Sequence, residues 1–399
     1  MIEIKEKSEC CGCRTCEKVC PKKCISMKPD SEGFLYPEVD HTKCINCNLC
    51  VKVCPILNKP ASLPIQKGYI ARNRDMKILK TSSSGGFFSA LCELVIDREG
   101  VVFGASFNEE LAVRHVKAES LDDCIGFRGS KYVQSDVSDT YIEVKEALKQ
   151  GKWVCYSGTP CEISGLRNYL GRDYDHLILV DFVCHGVPSP KLWKEYLKYM
   201  SEQYHSDIIK ANFRSKKNGY QSSTMHLKFA NSKDYYGSVR TDIMLKSFFR
   251  NICLRESCYK CAFKGKERCS DLTIYDCWHA GKILDVEDDD LGYTSILVRS
   301  DKGISFINEL NHQLEIYEKP IDEVIPIGGG MLVKNAQRHK DRDDYYSMMN
   351  DVGLKEAFDR YLGVSRMDYM MEALKKVLRK MGVLPRLSRM KKIVKKKRS

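Results

Sequence analysis

Long apolar runs are what this chain of 399 residues most clearly lacks. No stretch of about 18 or more apolar residues occurs, which excludes a membrane-spanning helix. The N-terminus, MIEIKEKSE, has no apolar segment of the kind that a signal peptide contains. Neither a P-loop nor a GxGxxG sequence is present, so a standard nucleotide-binding fold is not indicated. We therefore expect a cytoplasmic protein.

Acidic residues are absent from the C-terminal segment. Residues 373–399 hold twelve Lys and Arg and no Asp or Glu, and this excess equals the whole net charge of +12. The body of the chain is therefore neutral, and a basic face for nucleic acid is not supported. The tail is either a peripheral contact with an anionic membrane surface or a solvated end. Its apolar residues recur at helical spacing: Met370, Met371, Leu374, Val377, Leu378 and Met381.

Cysteine, by contrast, is abundant, with 20 residues in the chain. In the absence of a signal peptide, that number indicates a reducing compartment and metal ligation. Two runs of the form C-x2-C-x2-C-x3-C-P occur, a pattern typical of bacterial two-cluster ferredoxins. Three cysteines of one run and the fourth of the other hold each 4Fe–4S cluster. The predicted ligands are Cys10, Cys13, Cys16 and Cys54 for the first cluster, and Cys44, Cys47, Cys50 and Cys20 for the second. Cys11 and Cys24 are left without a role.

The succession of patterns predicts the domain organisation. We expect a ferredoxin domain over 1–57, a linker over 58–67, an α/β domain over 68–320 and a helical region with a basic tail over 321–399. Alternating strand and helix patterns favour a sheet with parallel portions. The stretch 208–240 is more strand-like, which favours a mixed sheet, and helices dominate from about 302. The predicted class is α+β overall.

Two cysteines of the central region follow predicted strands. In YSGTPCEISGL, Thr159 suits a helix N-cap and Pro160 the first helical position, so the Cys161 thiol faces the positive end of the helix dipole. Cys184 ends the strand LILVDFVC, and such strand ends share one sheet edge. A third cluster has two possible ligand sets. The dispersed set is Cys161, Cys184, Cys258 and Cys261, and the local set is Cys253, Cys258, Cys261 and Cys269. The positions of Cys161 and Cys184 at strand ends favour the dispersed set.

Cys92, Cys124 and Cys155 are expected to be inert core thiols.

Two loops are candidates for holding phosphate or flavin. The turn SSSGG (82–86) offers hydroxyl and backbone N–H groups at a helix start, which suits either a phosphate or a plain helix cap. The loop FRGSKYVQSD (127–136) pairs Lys131 with Tyr132, for a flavin or phosphate or as a solvated surface loop.

Several stretches in order resemble the beta subunit of coenzyme F420-reducing hydrogenase and its relatives, over roughly 68–300. They are SSSGG, GSKYVQSD, SGTPCEISGLR, VCHGVPSP and SCYKCAFK…SDLTIYDCW. The resemblance implies FAD, a 4Fe–4S cluster and hydride transfer to or from a deazaflavin or another organic substrate. It points to the dispersed cysteine set. The candidate flavin-site residues are Ser84, Gly85, Gly86, Ser130, Lys131, Tyr132, Gly158 and Thr159.

One turn departs from the family pattern. Where relatives usually read GDFWG, this chain has YDCWH at 275–279. If that turn touches flavin or substrate, the substrate differs from the deazaflavin.

Two functions follow from these observations. The first is an iron–sulfur flavoprotein oxidoreductase that passes electrons between ferredoxin-type clusters and FAD. Its partners would be a redox protein or soluble ferredoxin and an organic hydride donor or acceptor. The alternative is a non-catalytic electron-transfer subunit that serves a partner enzyme, for example in polysaccharide biosynthesis. No catalytic residue is assigned, although His185 beside Cys184 is a candidate for proton transfer.

Overall fold

A computed structural model describes residues 1–381 of the chain. Most of the basic tail predicted over 373–399 therefore lies outside the described residues. The strands are β1 Ile25–Pro29, β2 Leu35–Val39, β3 Lys67–Asn73, β4 Val101–Phe107, β5 Val113–Ala118, β6 Val154–Gly158, β7 Leu177–Phe182, β8 Ile208–Asn212, β9 Thr224–Phe229, β10 Asp234–Ser238, β11 Leu272–Asp276, β12 Thr294–Val298 and β13 Leu314–Lys319.

Helices surround these strands and close the C-terminal part of the described chain. They are α1 Thr15–Val19, α2 Leu49–Lys52, α3 Met76–Thr81, α4 Phe87–Ile96, α5 Leu121–Cys124, α6 Thr140–Lys149, α7 Pro160–Leu170, α8 Pro190–Tyr204, α9 Ile243–Phe249, α10 Glu256–Tyr259, α11 Ala280–Leu284, α12 Asp301–Glu309, α13 Ile321–Val324, α14 Gly329–Val333, α15 Arg342–Asp351, α16 Leu354–Tyr361 and α17 Arg366–Lys380. Across residues 1–381 no helix combines the length and the apolar character needed to cross a bilayer.

The N-terminal region has the internal repeat that its two cysteine runs predict. The antiparallel pair β1–β2 packs with α1 and α2, one short helix from each run. Arg14 and Asn48, which follow the second cysteine of each run, enter these helices with φ of 62° and 59°. The equivalent backbone turns show that both runs fold in the same way.

The central sheet has eight strands in the order β13-β3-β12-β11-β7-β6-β4-β5. Strands β4, β6, β7 and β11 are parallel, whereas the outer strands β5, β12, β3 and β13 pair antiparallel with their neighbours. The predicted mixed sheet is confirmed. The apolar run of β7 is buried, as expected for a parallel strand covered on both faces.

Helices cover both faces of this sheet. On one face, α4 and α12 pack on alternate strand residues such as Ile178 and Val180. On the other, α6 and α7 pack on the intervening residues such as Leu177 and Leu179. The two-residue period of the strands thus builds two cores, one on each side.

The strand-like stretch near 208–240 forms a separate antiparallel sheet, β10-β9-β8, rather than part of the central sheet. Residues from β9, α8, α9, α15 and α16 share its core. One strand, β13, interrupts the region where helices were expected to dominate. It adds to the free edge of β3. Its first residue, Leu314, is buried, and the adjacent Glu315 ion-pairs with Arg72 on β3.

Candidate iron–sulfur and cofactor sites

The loops after the parallel strands enclose a cavity of about 1000 Å³. Because β6, β7 and β11 run in the same direction, their C-terminal ends meet at one edge of the sheet. Gly158, Phe182 and Asp276, the last residues of these strands, all line the cavity. Its volume lies at the upper end of the range of about 300–1,000 Å³ for ligand pockets, so it can hold a large cofactor.

The two loops predicted to hold flavin lie against each other at this cavity. Ser130 donates from its backbone N–H and from its hydroxyl to Ser83 Oγ, at 2.6 and 3.0 Å. Of the eight candidate flavin residues, seven line the cavity. Gly85 lies behind its wall and fixes the turn there. Its N–H donates to Thr294 Oγ1 at 3.0 Å, and its carbonyl accepts from Asn73 N at 2.7 Å.

Lys131 is a half-buried amine in the cavity wall. Its Nζ donates to the carbonyls of Gly126 and Arg128, at 2.6 and 3.3 Å. Burial lowers the pKa of this amine to about 7. The neighbouring Tyr132 ring stacks on Phe248 with centroids 4.4 Å apart. An uncompensated amine of this kind suits an anionic group of a ligand.

The divergent turn 275–279 reaches the cavity through side chains that include Asp276 and Trp278. Arg214 Nη1 donates to Asp276 Oδ2 at 2.6 Å, and the Trp278 ring stacks on Tyr220 with centroids 5.0 Å apart. The pKa of the Arg214 guanidinium is raised, because Tyr132 and Asp276 outweigh its burial. Asp276 and Trp278 keep the family pattern, and of the three replaced residues of the turn Tyr275 lines the cavity, whereas Cys277 and His279 do not.

A second, smaller cavity is lined by the four cysteines of the dispersed set: Cys161, Cys184, Cys258 and Cys261. The predicted cap is confirmed: Thr159 Oγ1 accepts from Glu162 N at 3.4 Å, and Glu162 Oε2 accepts from Thr159 N at 2.7 Å. This capping box begins α7 at Pro160, so Cys161 occupies its first turn. Burial raises the pKa of the Cys184 thiol, and the other three thiols add to the shift. The four thiols line one small space, although among residues 1–381 no group of three or more His, Cys, Asp or Glu side chains is arranged to hold a metal ion.

The local cysteine set is not brought together in the same way. Cys253 is buried in the core of the smaller sheet, and its carbonyl accepts a hydrogen bond from Tyr346 Oη at 2.8 Å. Cys269 belongs to the core beneath α6 and α7, with its sulfur 3.5 Å from Ser164 Oγ. Cys258 and Cys261 therefore share a cavity with Cys161 and Cys184 but not with these two.

The structure also brings cysteines of each predicted ferredoxin group near one another. Burial raises the pKa of Cys16, and its thiol interacts with those of Cys13, Cys10 and Cys54. The second group, Cys44, Cys47, Cys50 and Cys20, lines another small cavity. Cys47 is exposed, as are the neighbouring Ile45 and Leu49. The sulfur of Cys24, which had no predicted role, lies 3.4 Å from that of Cys20.

Cys11 occupies a place that the sequence did not indicate. Its buried thiol lies beside those of Cys13 and Cys161 and lines the cavity of the dispersed set. Gly165 allows this approach, because a Cβ there would lie 3.2 Å from Cys13 Sγ and 2.6 Å from Thr15 Oγ1. Cys161 and Gly165 are one helical turn apart, a rise of about 6 Å. The first ferredoxin group and the dispersed set are therefore neighbours.

Arg255 is a second feature that the sequence analysis missed. The fully buried guanidinium donates to Cys10 O at 2.7 Å, to Leu35 O at 2.8 Å and to Gln134 Oε1 at 3.0 Å. The acidic groups that act on it most strongly are the Cys10 thiol, the Tyr36 phenol and the Cys11 and Cys258 thiols. Interaction with the Cys10 thiol and other acidic groups, Cys258 among them, raises its pKa despite burial. The sequence did contain one indication of this role, because Arg255 lies three residues before the predicted ligand Cys258.

The two larger cavities have a common wall. Cys184, His185 and Gly186 line both of them. His185 Nε2 lies 2.6 Å from Asn251 Oδ1, and its ring contacts Phe248 edge to face. Burial lowers the pKa of this imidazole. One short loop thus separates the dispersed cysteines from the cavity of about 1000 Å³.

Comparisons with known proteins agree with this geometry. Residues 151–324 match the family that comprises the C terminus of the beta subunit of coenzyme F420 hydrogenase/dehydrogenase, and residues 9–57 match the 4Fe-4S dicluster domain. The predicted resemblance is confirmed over these two matched stretches of the chain. No curated protein matches it.

A solved structure of the F420-reducing [NiFe] hydrogenase complex from Methanosarcina barkeri is also similar. The match has 17% identity and a TM-score of 0.43, and it covers 76% of this chain and 94% of that one. Taken together, the two matched domains support an electron-transfer oxidoreductase.

Proposed function

We propose that this protein is a flavin-dependent iron–sulfur oxidoreductase with three 4Fe–4S clusters, which exchanges hydride with an organic substrate. The observation that carries the proposal is the loop Cys184–Gly186, which lines both the cysteine cavity and the large cavity. A one-electron site and a two-electron site separated by one loop suit electron transfer between them. FAD, when bound, would supply hydride chemistry, and the chain supplies binding and orientation.

The cysteines form a route with an outer and an inner end. Cys47 of the second ferredoxin group is exposed beside the apolar Ile45, a surface on which a redox protein or soluble ferredoxin can dock. The first group lies next to the dispersed set through Cys11 and Cys13. Electrons would therefore pass from the surface through the ferredoxin groups to the dispersed set and on to the large cavity, or in reverse.

Specific residues would hold the flavin in the large cavity. The SSSGG turn and the Ser130 loop offer hydroxyl groups, and Lys131 offers a charge to an anionic group. Aromatic and apolar groups such as Tyr132 and Phe248 line the same space and suit a ring system. Tyr275, which stands where relatives have glycine, lines the cavity, and this replacement favours an organic substrate other than the deazaflavin. A cytoplasmic location stays a prediction from the sequence.

The test is anaerobic purification with iron, sulfide and flavin quantitation. We expect about twelve iron atoms per chain, four for each of three cubane clusters, and a stoichiometric flavin released on denaturation. A content of about eight iron atoms with bound flavin would show that the protein has two clusters and would contradict the proposed third one. A content of about twelve iron atoms, with no flavin bound even after reconstitution with FAD, would favour the alternative function. The protein would then be an electron-transfer subunit and not a flavoenzyme.

A further inference from the structure

We propose that α17 binds the surface of an anionic membrane and places the mouth of the large cavity against the bilayer, so that the substrate is an amphiphile taken from the membrane. The substrate part rests on the proposed function, whereas the membrane contact does not.

Helix α17 has its apolar side turned to solvent. Met367, Met370, Leu374, Val377 and Met381 recur at intervals of three and four residues, which places them on one face of a helix. All are exposed, from 50% for Leu374 to 66% for Met381. An amphipathic helix normally buries this face against a core. Here the face has no partner within the described chain.

The opposite side of α17 lines the large cavity. Asp368, Glu372 and Lys375, again spaced by four and three residues, contribute to the cavity wall. Asp368 Oδ2 ion-pairs with Lys246 Nζ of α9 at 3.2 Å and so fixes the start of the helix. The polar side of α17 thus forms part of the cavity mouth, and the apolar side points away from the protein.

Other exposed apolar residues surround the same cavity. Val239, Phe249 and Met331 are each exposed by more than a third, and all three line it. The basic residues Arg240, which ion-pairs with Asp368 at 3.6 Å, and Arg250 lie among them. This combination of apolar and basic groups extends the character of α17 around the opening. It suits an amphiphile with an anionic head group better than a small hydrophilic metabolite.

The positive charge of the C-terminal segment indicates what kind of partner binds the apolar face of α17. The segment 373–399 that begins in α17 holds twelve basic and no acidic residues. Pairing with a second copy would bring two such segments together, which like charges oppose. An anionic lipid surface neutralises them, and each basic residue near such a surface strengthens binding. A helix with an apolar face and basic surroundings is typical of interfacial membrane binding.

The first experiment is co-sedimentation of the full-length holoprotein with vesicles of phosphatidylcholine containing phosphatidylglycerol. We expect binding that weakens with added salt and that is absent with phosphatidylcholine alone. Leu374→Glu should lower the partition coefficient at least tenfold. The matched control Ile209→Glu, at an exposed apolar residue of β8, should bind like the parent. Unchanged binding of Leu374→Glu, or a dimer in solution that this variant dissociates without vesicle binding, would overturn the proposal.

A second experiment locates the cavity mouth. Trp introduced as Met370→Trp or Val239→Trp should lose fluorescence with brominated lipid in the vesicles, and Ile209→Trp should not. Quenching at position 370 without quenching at 239 would refute the membrane supply of substrate. Iron and flavin contents are measured on every variant, since their loss with intact vesicle binding would count against the proposed function and not against the membrane contact.

Discussion

The ferredoxin region and the dispersed cysteine set place four thiols around a small space in different ways. In the ferredoxin region, each run spans 11 residues, and three of the four thiols in a group come from one run. In the dispersed set, the thiols come from the first turn of α7, the loop after β7, helix α10 and the residues that follow it. The first arrangement needs little more than a short loop, whereas the second exists only when the whole sheet has formed.

The strongest test of this difference is removal of single thiols. Cys161→Ser or Cys184→Ser should reduce iron from about twelve to about eight atoms per chain, because the fourth ligand is lost from the dispersed set alone. The paramagnetic resonance signals of the ferredoxin clusters should persist. Iron content and spectra of the reduced protein check this result.

Cys253→Ser and Cys269→Ser are the controls for that experiment. Both thiols are buried, whereas Cys184 is half-buried, and they lie in other cores. If they lose a cluster while Cys161→Ser keeps all three, the local set holds the third cluster.

Gly85→Ala should damage the large cavity and spare the ferredoxin region. A Cβ at Gly85 would lie 2.5 Å from Ala71 O and 2.6 Å from Thr294 N, so backbone must move. Overpacking of this kind costs about 1–3 kcal/mol, and the displaced SSSGG turn should retain little flavin. Flavin content and thermal unfolding measure the effect. Gly330→Ala is the control, since its Cβ would meet only Lys334 Cδ at 3.7 Å; equal flavin in both variants would contradict the assignment.

Arg255→Gln should shift the reduction potential of the first ferredoxin cluster to more negative values. Reduction adds negative charge, which the buried guanidinium beside Cys10 stabilises. Loss of one charge at this range changes the equilibrium for reduction by about tenfold, or about 59 mV for a one-electron couple. Potentiometric titration followed by paramagnetic resonance measures the shift.

Arg255→Lys separates charge from packing in that experiment. It keeps the charge but loses the three-fold hydrogen bonding, so the potential should return most of the way to that of the parent. If both variants shift the potential equally, Arg255 acts through docking of the ferredoxin loop and not through its charge.

The smallest expected effect is a pH dependence of flavin affinity through Lys131. Burial lowers its pKa to about 7, so without ligand the amine is neutral above that pH. An anionic phosphate requires the protonated form, and affinity should therefore fall as pH rises above 7, by at most about tenfold per pH unit. Flavin fluorescence titrations across this range measure it. Lys131→Gln should bind more weakly at pH 7 and lose the dependence; a parallel pH dependence in both proteins would assign it to another group.

The contrast between the two regions also explains what the sequence could predict. The ferredoxin groups follow from spacing alone, and the dicluster domain is confirmed. The edge shared by Thr159 and Cys184 could be inferred from strand ends, because parallel strands impose it. The contacts of Cys11 and Arg255 could not, since they depend on how the ferredoxin domain docks through Gly165 and through Gly12, where a Cβ would lie 3.0 Å from Arg255 Nη1. No local pattern encodes that docking.

The C-terminal part of the fold was harder to predict for a similar reason. Strand β13 has three charged residues among its six, Glu315, Glu318 and Lys319, and joins an edge, so its signal is weak beside the surrounding helices. The stretch 208–240 was correctly predicted to be rich in strands, but its pairing into a separate sheet rests on a core made with α8 and α15, the latter far away in sequence.

The exposure of Cys47 determines which cluster oxidation would destroy first. The same opening that lets a redox partner approach the second ferredoxin group also admits oxygen and chelators, while no cysteine of the other two groups is exposed. In air, the outermost iron would be lost first, and the protein would remain folded and coloured but cut off from its electron supply.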